Sequence, residues 1–438
     1  MSDIMTLHSP ADWSVYRLGQ LFRERKEKGS DSEFPPLSVT MRGIVPQLDT
    51  AAKSDDGDNR KVVRVGDYVI NSRSDRKGSG GISEYEGSVS LISIVLQTRE
   101  IDRRFAHHLL RSPAFQEEFY RWGHGIVADL WTTRYADMKN IRLRVPDLPT
   151  QRAIADFLDR ETARIDLLIE KKQRLVALLG EKTRSVINRA TTVGFRDCET
   201  RISGEKWLSE VASHWRITPI KWFARLQSGY AFKADRFGDF GTPLVRMNNL
   251  KRGVLDLSDA VSIAHDDVNE LALLGTGDIL IGMSGSIGET GSLGNFAIVS
   301  EKDLPCLLNQ RLGRFQLVGK DLLPEYLTLV IQSAAFLDPI FLAATSTAQF
   351  NVSPSQIGSV LFALPPIDEQ QEIVDEISRR LVGLNRVKER SLISIDRLRE
   401  YRSALITATV TGKTNVAEWS RYGAANRQFD KIKAEMDA

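Results

Sequence analysis

The side chains best suited to chemistry in this sequence are cations set among small residues. The stretch SRSDRKGSGGIS (72–83) carries Arg73, Arg76 and Lys77 beside Ser79 and several glycines. Cationic heads and backbone N–H groups in such a loop can approach phosphates closely. Arg60, Lys61 and Arg64 lie just upstream, Arg42 lies within the strand-like run PLSVTMRGIV (36–45), and Arg134 sits in a later loop, WTTRYADM. In the second half Arg246, Asn248, Asn249, Lys251 and Arg252 cluster at the end of another strand-like run. A small-residue loop containing Ser284 and Ser286 follows, and Asn309, Gln310 and Arg311 form a third polar group. Arg and Asn make bidentate contacts to guanine and adenine edges, each worth about 1–3 kcal/mol of discrimination. The competing reading is a set of solvated loops, with Asn-Asn as an ordinary turn. Recurrence of the clusters at corresponding places in the two halves favours recognition of nucleic acid.

Catalytic patterns are missing by comparison. Gly412-Lys413-Thr414 suggests a phosphate loop, but the glycine expected five residues earlier is Thr407 and no strand leads in. There is no HExxH, no CxxC and no serine in a strained-elbow context. The six histidines show no ligand spacing, and His107–His108 reads as a surface pair on a helix. The double prolines at Pro35–Pro36 and Pro365–Pro366 lack the aromatic and Asn/Asp neighbours of an amino-methyltransferase motif. The residues predict a chain without catalysis, metal or cofactor of its own.

Two long helices must position the clusters, because the chain states them twice. Laid beside each other without a gap, Pro146 falls on Pro365, Gln151 on Gln370, Ile154 on Ile373 and Ile187 on Ile406, a constant offset of half the chain. That is a duplicated module, since solenoid periods are far shorter. Each copy is a proline-started, charged run of roughly 40 residues, about 60 Å of helix. A seam is predicted through Leu158, Ile165, Leu168, Leu175, Leu179 and Val186, and through Ile377, Leu384, Val387, Leu398 and Leu405. Lys172 and Ser391 interrupt it at the same register. Burying such residues contributes about 1.5–3 kcal/mol each, against about 1–2 kcal/mol of backbone entropy per ordered residue. Each helix therefore needs a partner, and the nearest is its duplicate.

The rest of the chain has room for two or three domains among its 438 residues, with ordinary hydrophobic (42%) and charged (26%) content. No apolar run approaches a membrane span, no secretory signal opens it, and two cysteines make no framework. A cytoplasmic setting is the expectation. A net charge of +2 leaves any binding face to local clusters. Residues 1–145 read as a first α/β unit, with a charged linker from Arg23 to Glu33 and one helical pattern from Phe105 to Trp122. Residues 146–194 form the first helix, 195–364 a second unit of similar layout, 365–413 the second helix, and 414–438 a tail. Trp215 answers Trp13.

These residues resemble the specificity subunit of Type I restriction–modification systems. PSQIGSVLFALPPIDEQQEIVDEI (354–377) is similar to that family's entry into its distal helix, with Pro366, Glu369, Gln370 and Ile373 in the usual places. ADMKNIRLRVPDLPTQRAIADFL (136–158) keeps Gln151 and Ile154 but has Thr150 in place of the glutamate. HWRITPIKWFARLQSGYAFK (214–233), with Tyr230 and Lys233, resembles the start of a target-recognition domain, as does GDILIGMSGSIG (277–288). The resemblance implies an α+β chain with two target-recognition domains separated by an antiparallel pair of long helices, pseudo-two-fold duplicated. Each domain would read half of a bipartite double-stranded DNA site. The helices would set the spacer and dock two methyltransferase subunits carrying S-adenosylmethionine, and restriction subunits using ATP and Mg2+ could join. The residues alone leave open a metal-dependent nuclease built from scattered carboxylates, and a coiled-coil adaptor that binds only protein.

Overall fold

The computed structural model describes residues 10–47, 57–125, 131–288, 291–346, 350–414 and 416. Most of the expected tail, and residues 126–130 and 289–290, lie outside the described residues. The architecture is α+β. The chain divides into two compact units, Met1–Arg174 with Ser391–Ala438, and Leu175–Arg390.

In the first unit, strands run antiparallel in the order Phe22–Glu24, Ser93–Thr98, Tyr68–Asn71, Gly80–Ile82. The second unit repeats this order with Ala224–Ser228, Leu312–Leu317, Ile279–Gly282 and Phe296–Ile298. A pair of helices follows each sheet: α1 (Arg103–Arg111) and α2 (Pro113–Arg121) in the first unit. The continuous helix expected from Phe105 is broken at Ser112, whose hydroxyl caps α2 through the Phe115 N–H while Pro113 cannot continue α1. The Arg23–Glu33 linker is likewise structured. It contains strands Phe22–Glu24 and Lys28–Gly29, and Arg25 pairs with Asp67 at 2.7 Å.

Each unit closes on its long helix through a two-stranded joint. Ser14–Arg17 pairs with Arg142–Val145 just before α3 (Leu148–Thr192). In the second unit the helix pair is α4 (Pro324–Val330) and α5 (Ala334–Ala343). There Arg216–Pro219 pairs with Leu361–Leu364 just before α6 (Ile367–Val410). The tryptophans correspond as expected: Trp215 lies 3.0 Å from where a Cβ on Gly194 would sit, and Trp13 3.0 Å from one on Gly412. Both glycines have positive φ and end a long helix, where a side chain would be strained and would strike the indole.

The long helices run antiparallel. Early α3 residues Ile154 and Leu158 share a core with late α6 residues Ile406 and Val410. Late α3 residues Ile187 and Ala190 share another with early α6 residues Ile373 and Ile377. The seam itself differs from expectation at three positions. Leu158, Ile165 and Ile377 are buried and Leu179, Val186, Leu384, Leu398 and Leu405 half-buried, whereas Leu168, Leu175 and Val387 are 40%, 40% and 45% exposed. Ile169, Val176 and Lys388, one residue along, are the half-buried ones. The buried face thus steps by alternating fours and threes from Leu158 through Thr162, Ile165, Ile169, Lys172, Val176 and Leu179. Lys172 and Ser391, expected to interrupt the seam, belong to this buried face. Among the described residues no single helix is long and apolar enough to cross a membrane.

Candidate nucleic-acid interface

Strand Thr242–Val245 lies parallel to Leu307–Leu308, with Val245 opposite Leu308. Parallel strands release their following residues at the same edge, so Arg246 and the Asn309–Arg311 group emerge together. The Asn309 N–H donates to the Val245 carbonyl at 3.2 Å and fastens this exit. The result is a cleft of about 1050 Å3 whose lining includes Arg246, Asn248, Lys251, Arg252, Gln310 and Arg311. Ser286, Asn295, Asn309 and the rings of Phe232 and Phe237 complete it. The lining holds four fixed cations and, among the described residues, no carboxylate. A concave site of one sign concentrates field and attracts a polyanion.

Two neighbouring asparagines divide the labour. Asn249 is fully buried: its Oδ1 accepts the Arg246 N–H at 2.9 Å, and its Nδ2 donates to the Asp256 carbonyl and to Asp259 Oδ1, each at 2.9 Å. It shapes the turn, with both amide hydrogens spent and the side chain out of reach of a base, which corrects the expectation that it binds DNA. Asn248 is exposed, with its Nδ2 donating to Asp259 Oδ2 at 2.9 Å. Ser284 is also corrected: it is 6% exposed and paired in a strand with Asn351, and it lines a separate hollow of about 330 Å3 beside Arg311. Tyr230 (47% exposed) and Lys233 lie on the segment beside the cleft, Tyr230 edge-on to Phe232 with centroids 4.8 Å apart.

The first unit does not gather its expected residues in this way. Arg64 is bound to Glu27 at 2.9 Å and Glu86 at 3.5 Å, Arg73 to Asp75 at 3.1 Å, and Lys77 to Glu117. Arg76 is more exposed but lies 3.8 Å from Asp75. Arg60 is buried on Ser88, Lys61 is spent on Glu24 and the Ser93 carbonyl, and Ser79 is 5% exposed. Arg42 and Arg134 are exposed, one at a hairpin tip and the other at the start of the helix Tyr135–Met138. Exposed ion pairs contribute only about 0–1 kcal/mol, so phosphate can displace their carboxylates, but the local charge is cancelled.

His107–His108 is not a surface pair. His108 is 7% exposed and its Nε2 lies 2.7 Å from Asp159 of α3, while His107 Nδ1 accepts the Ile82 N–H at 3.4 Å. Burial first, then the Arg111 guanidinium, pushes the His107 imidazole down to about 3. Among the described residues no group of His, Cys, Asp and Glu could hold a metal ion.

Residues 213–393 match the family model of the Type I restriction modification DNA specificity domain. Those residues thus carry that family's specificity domain, and the chain is similar to Type I restriction enzyme specificity subunits. It is 31% identical over 189 residues, 43% of this chain, to the EcoAI specificity subunit of Escherichia coli, spanning 32% of that protein. It is 22% identical to the MjaVIII specificity subunit of Methanocaldococcus jannaschii over 94% of this chain and 95% of that one. A chain from a solved type I R-M system, studied for its assembly and conformational transition, shares the fold. Its TM-score is 0.69 at 14% identity, covering 93% of this chain and 99% of that chain.

Several cleft residues were not foreseen. Asn295 accepts the Arg252 N–H at 3.2 Å and donates to the Leu250 carbonyl at 2.7 Å, clamping the Leu250–Leu255 hairpin beside the cleft. Phe232 and Phe237 supply its apolar wall. No cation or motif marks them. The one available signal was that Phe232 falls in GYAFK beside Tyr230 and Lys233.

Proposed function

We propose that this chain is the non-catalytic, DNA-reading specificity subunit of a Type I complex. The second unit reads one half of a bipartite, asymmetric double-stranded site through its basic cleft, and the first unit reads the other half. The observation that carries this is the convergence of Arg246, Lys251, Arg252 and Arg311 with Asn248 and Gln310 in one cleft without a lining carboxylate. Cations there neutralise phosphates and the amide-bearing side chains address base edges.

The long helices hold the spacer between half-sites and dock two methyltransferase subunits. The 45 residues of α3 extend about 67 Å at ~1.5 Å per residue, beyond the ~34–36 Å of one DNA turn. S-adenosylmethionine belongs to the modification subunits, and ATP and Mg2+ to restriction subunits where these join. DNA in a bacterial cytoplasm is the target.

Co-expression with the neighbouring modification subunit, followed by mapping of methyladenine in host DNA, tests the reading. Two short defined blocks around a fixed gap are expected. A complex that forms but leaves the DNA unmethylated would overturn it in favour of the adaptor.

A further inference from the structure

Each unit carries a short hairpin whose turn contains an arginine followed by a glycine. In the first, Thr40 pairs with Gly43, leaving Met41 and Arg42 in the turn. In the second, Lys251 pairs with Val254, leaving Arg252 and Gly253. The hairpins occupy the same place in the duplicated topology, after the first strand of the four-stranded sheet and before its next strand in sequence. Gly43 and Gly253 have φ of +122° and +105°. Both arginines are exposed, Met41 is 68% exposed, and Arg252 lines the basic cleft.

Arg252 itself has φ +45°, the one non-glycine residue with positive φ among the described residues. Glycine or asparagine would occupy that conformation with less strain. A strained residue persists where its side chain serves a purpose the relaxed one cannot. Here the alternative residues lack a guanidinium.

We propose that these tips enter the DNA major groove, with Arg252 and Arg42 each reading a guanine in its own half-site. The inference rests on the DNA-reading role proposed above. A two-stranded ribbon fits the ~12 Å major groove, and the planar fork of arginine matches guanine O6 and N7. Arg246, Lys251 and Arg311 then lie beside the ribbon, where phosphates flank the groove. The pairing also explains why the first unit keeps Arg42 exposed while its loop cations are tied to carboxylates.

The test uses the complex with its modification subunit and four forms of this chain: wild type, Arg252→Asn, Arg252→Lys and Arg42→Ala. Methyladenine mapping of the wild type is expected to give a split motif. Arg252→Asn should lower methylation of that motif by about five- to a hundredfold and relax one guanine position in one half. It should melt at or above the wild-type temperature. Arg252→Lys, which keeps the charge without the fork, should relax the same position, and Arg42→Ala one position in the other half. Wild-type motifs at wild-type rates from both Arg252→Asn and Arg42→Ala overturn the proposal. So does a lowered melting temperature with losses spread over both halves, because the arginine is then structural. A wild-type complex without any split motif overturns the underlying reading, whatever the variants do.

Discussion

Gln151 accepts the backbone N–H of Asp102 at 2.8 Å, and Gln370, half a chain later, accepts that of Leu323 at 2.9 Å. Each of those backbone groups begins a helix of its unit, α1 in one and α4 in the other. Each glutamine also turns its amide back on its own helix start, Gln151 to the Pro146 carbonyl and Gln370 to that of Pro365. Gln370 adds a bond to the Asp321 carbonyl at 2.8 Å. Both side chains are buried. One duplicated residue thus fastens each long helix to the unit at its foot.

Replacing Gln370 with leucine removes these bonds and leaves buried backbone groups unpaired. A loss of about 2–4 kcal/mol is expected, with less for Gln151→Leu, which breaks fewer bonds. Denaturant melts of the two variants measure it. A change below about 0.5 kcal/mol in both would show that water replaces the amide.

The corrected seam makes opposite forecasts for neighbours. Ile165→Ala, at a residue 3% exposed, should cost about 2–5 kcal/mol. Leu168→Ala, three residues on and 40% exposed, should cost under about 1 kcal/mol. Equal losses in thermal melts would restore the leucine register.

His107 supplies an acid sensitivity with a definite sign. Its folded value of about 3 lies below the ordinary value of 6.5, so the unfolded chain takes up the proton first. Its neutral burial therefore costs no stability above pH 6.5, and stability falls progressively as the pH drops from there towards 3. His107→Gln should flatten the dependence of the unfolding midpoint across that window. An unchanged slope would place the sensitivity elsewhere.

Asn249 and Lys251 stand two residues apart with different duties. Asn249→Ala should lose about 1–3 kcal/mol of stability through unpaired buried groups, and distort the cleft. Lys251→Ala should leave stability within about 0.5 kcal/mol. If Lys251 meets a phosphate, the substitution reduces the slope of log affinity against log salt by about 0.9 without altering sequence preference. Salt titrations of the assembled complex decide the point.

The spacer role can be tested by length. Seven residues inserted into each long helix at facing positions preserve the seam and add about 10 Å. The gap in the methylated motif should grow by about three base pairs while both half-sites persist. Altered half-sites with an unchanged gap would rule out the ruler.

The sequence by itself determined the frame. The constant offset linking Gln151 to Gln370 and Ile187 to Ile406 exposed the duplication, because helices that must pack on each other keep their register while loops drift. Helical identity was also legible, since capping and periodicity are local. What only the tertiary structure decided was how each polar residue is spent. Asn248 and Asn249 are the same residue type side by side and both reach Asp259, and only the fold buries Asn249 while leaving Asn248 exposed. Lys77 looked available until α2 brought Glu117 against it, forty positions away in the chain. The convergence of Arg246 with Arg311 followed from a parallel strand pairing that no local pattern announces. Charge and hydrogen-bonding capacity are set by neighbours in space. Sequence reports only neighbours along the chain.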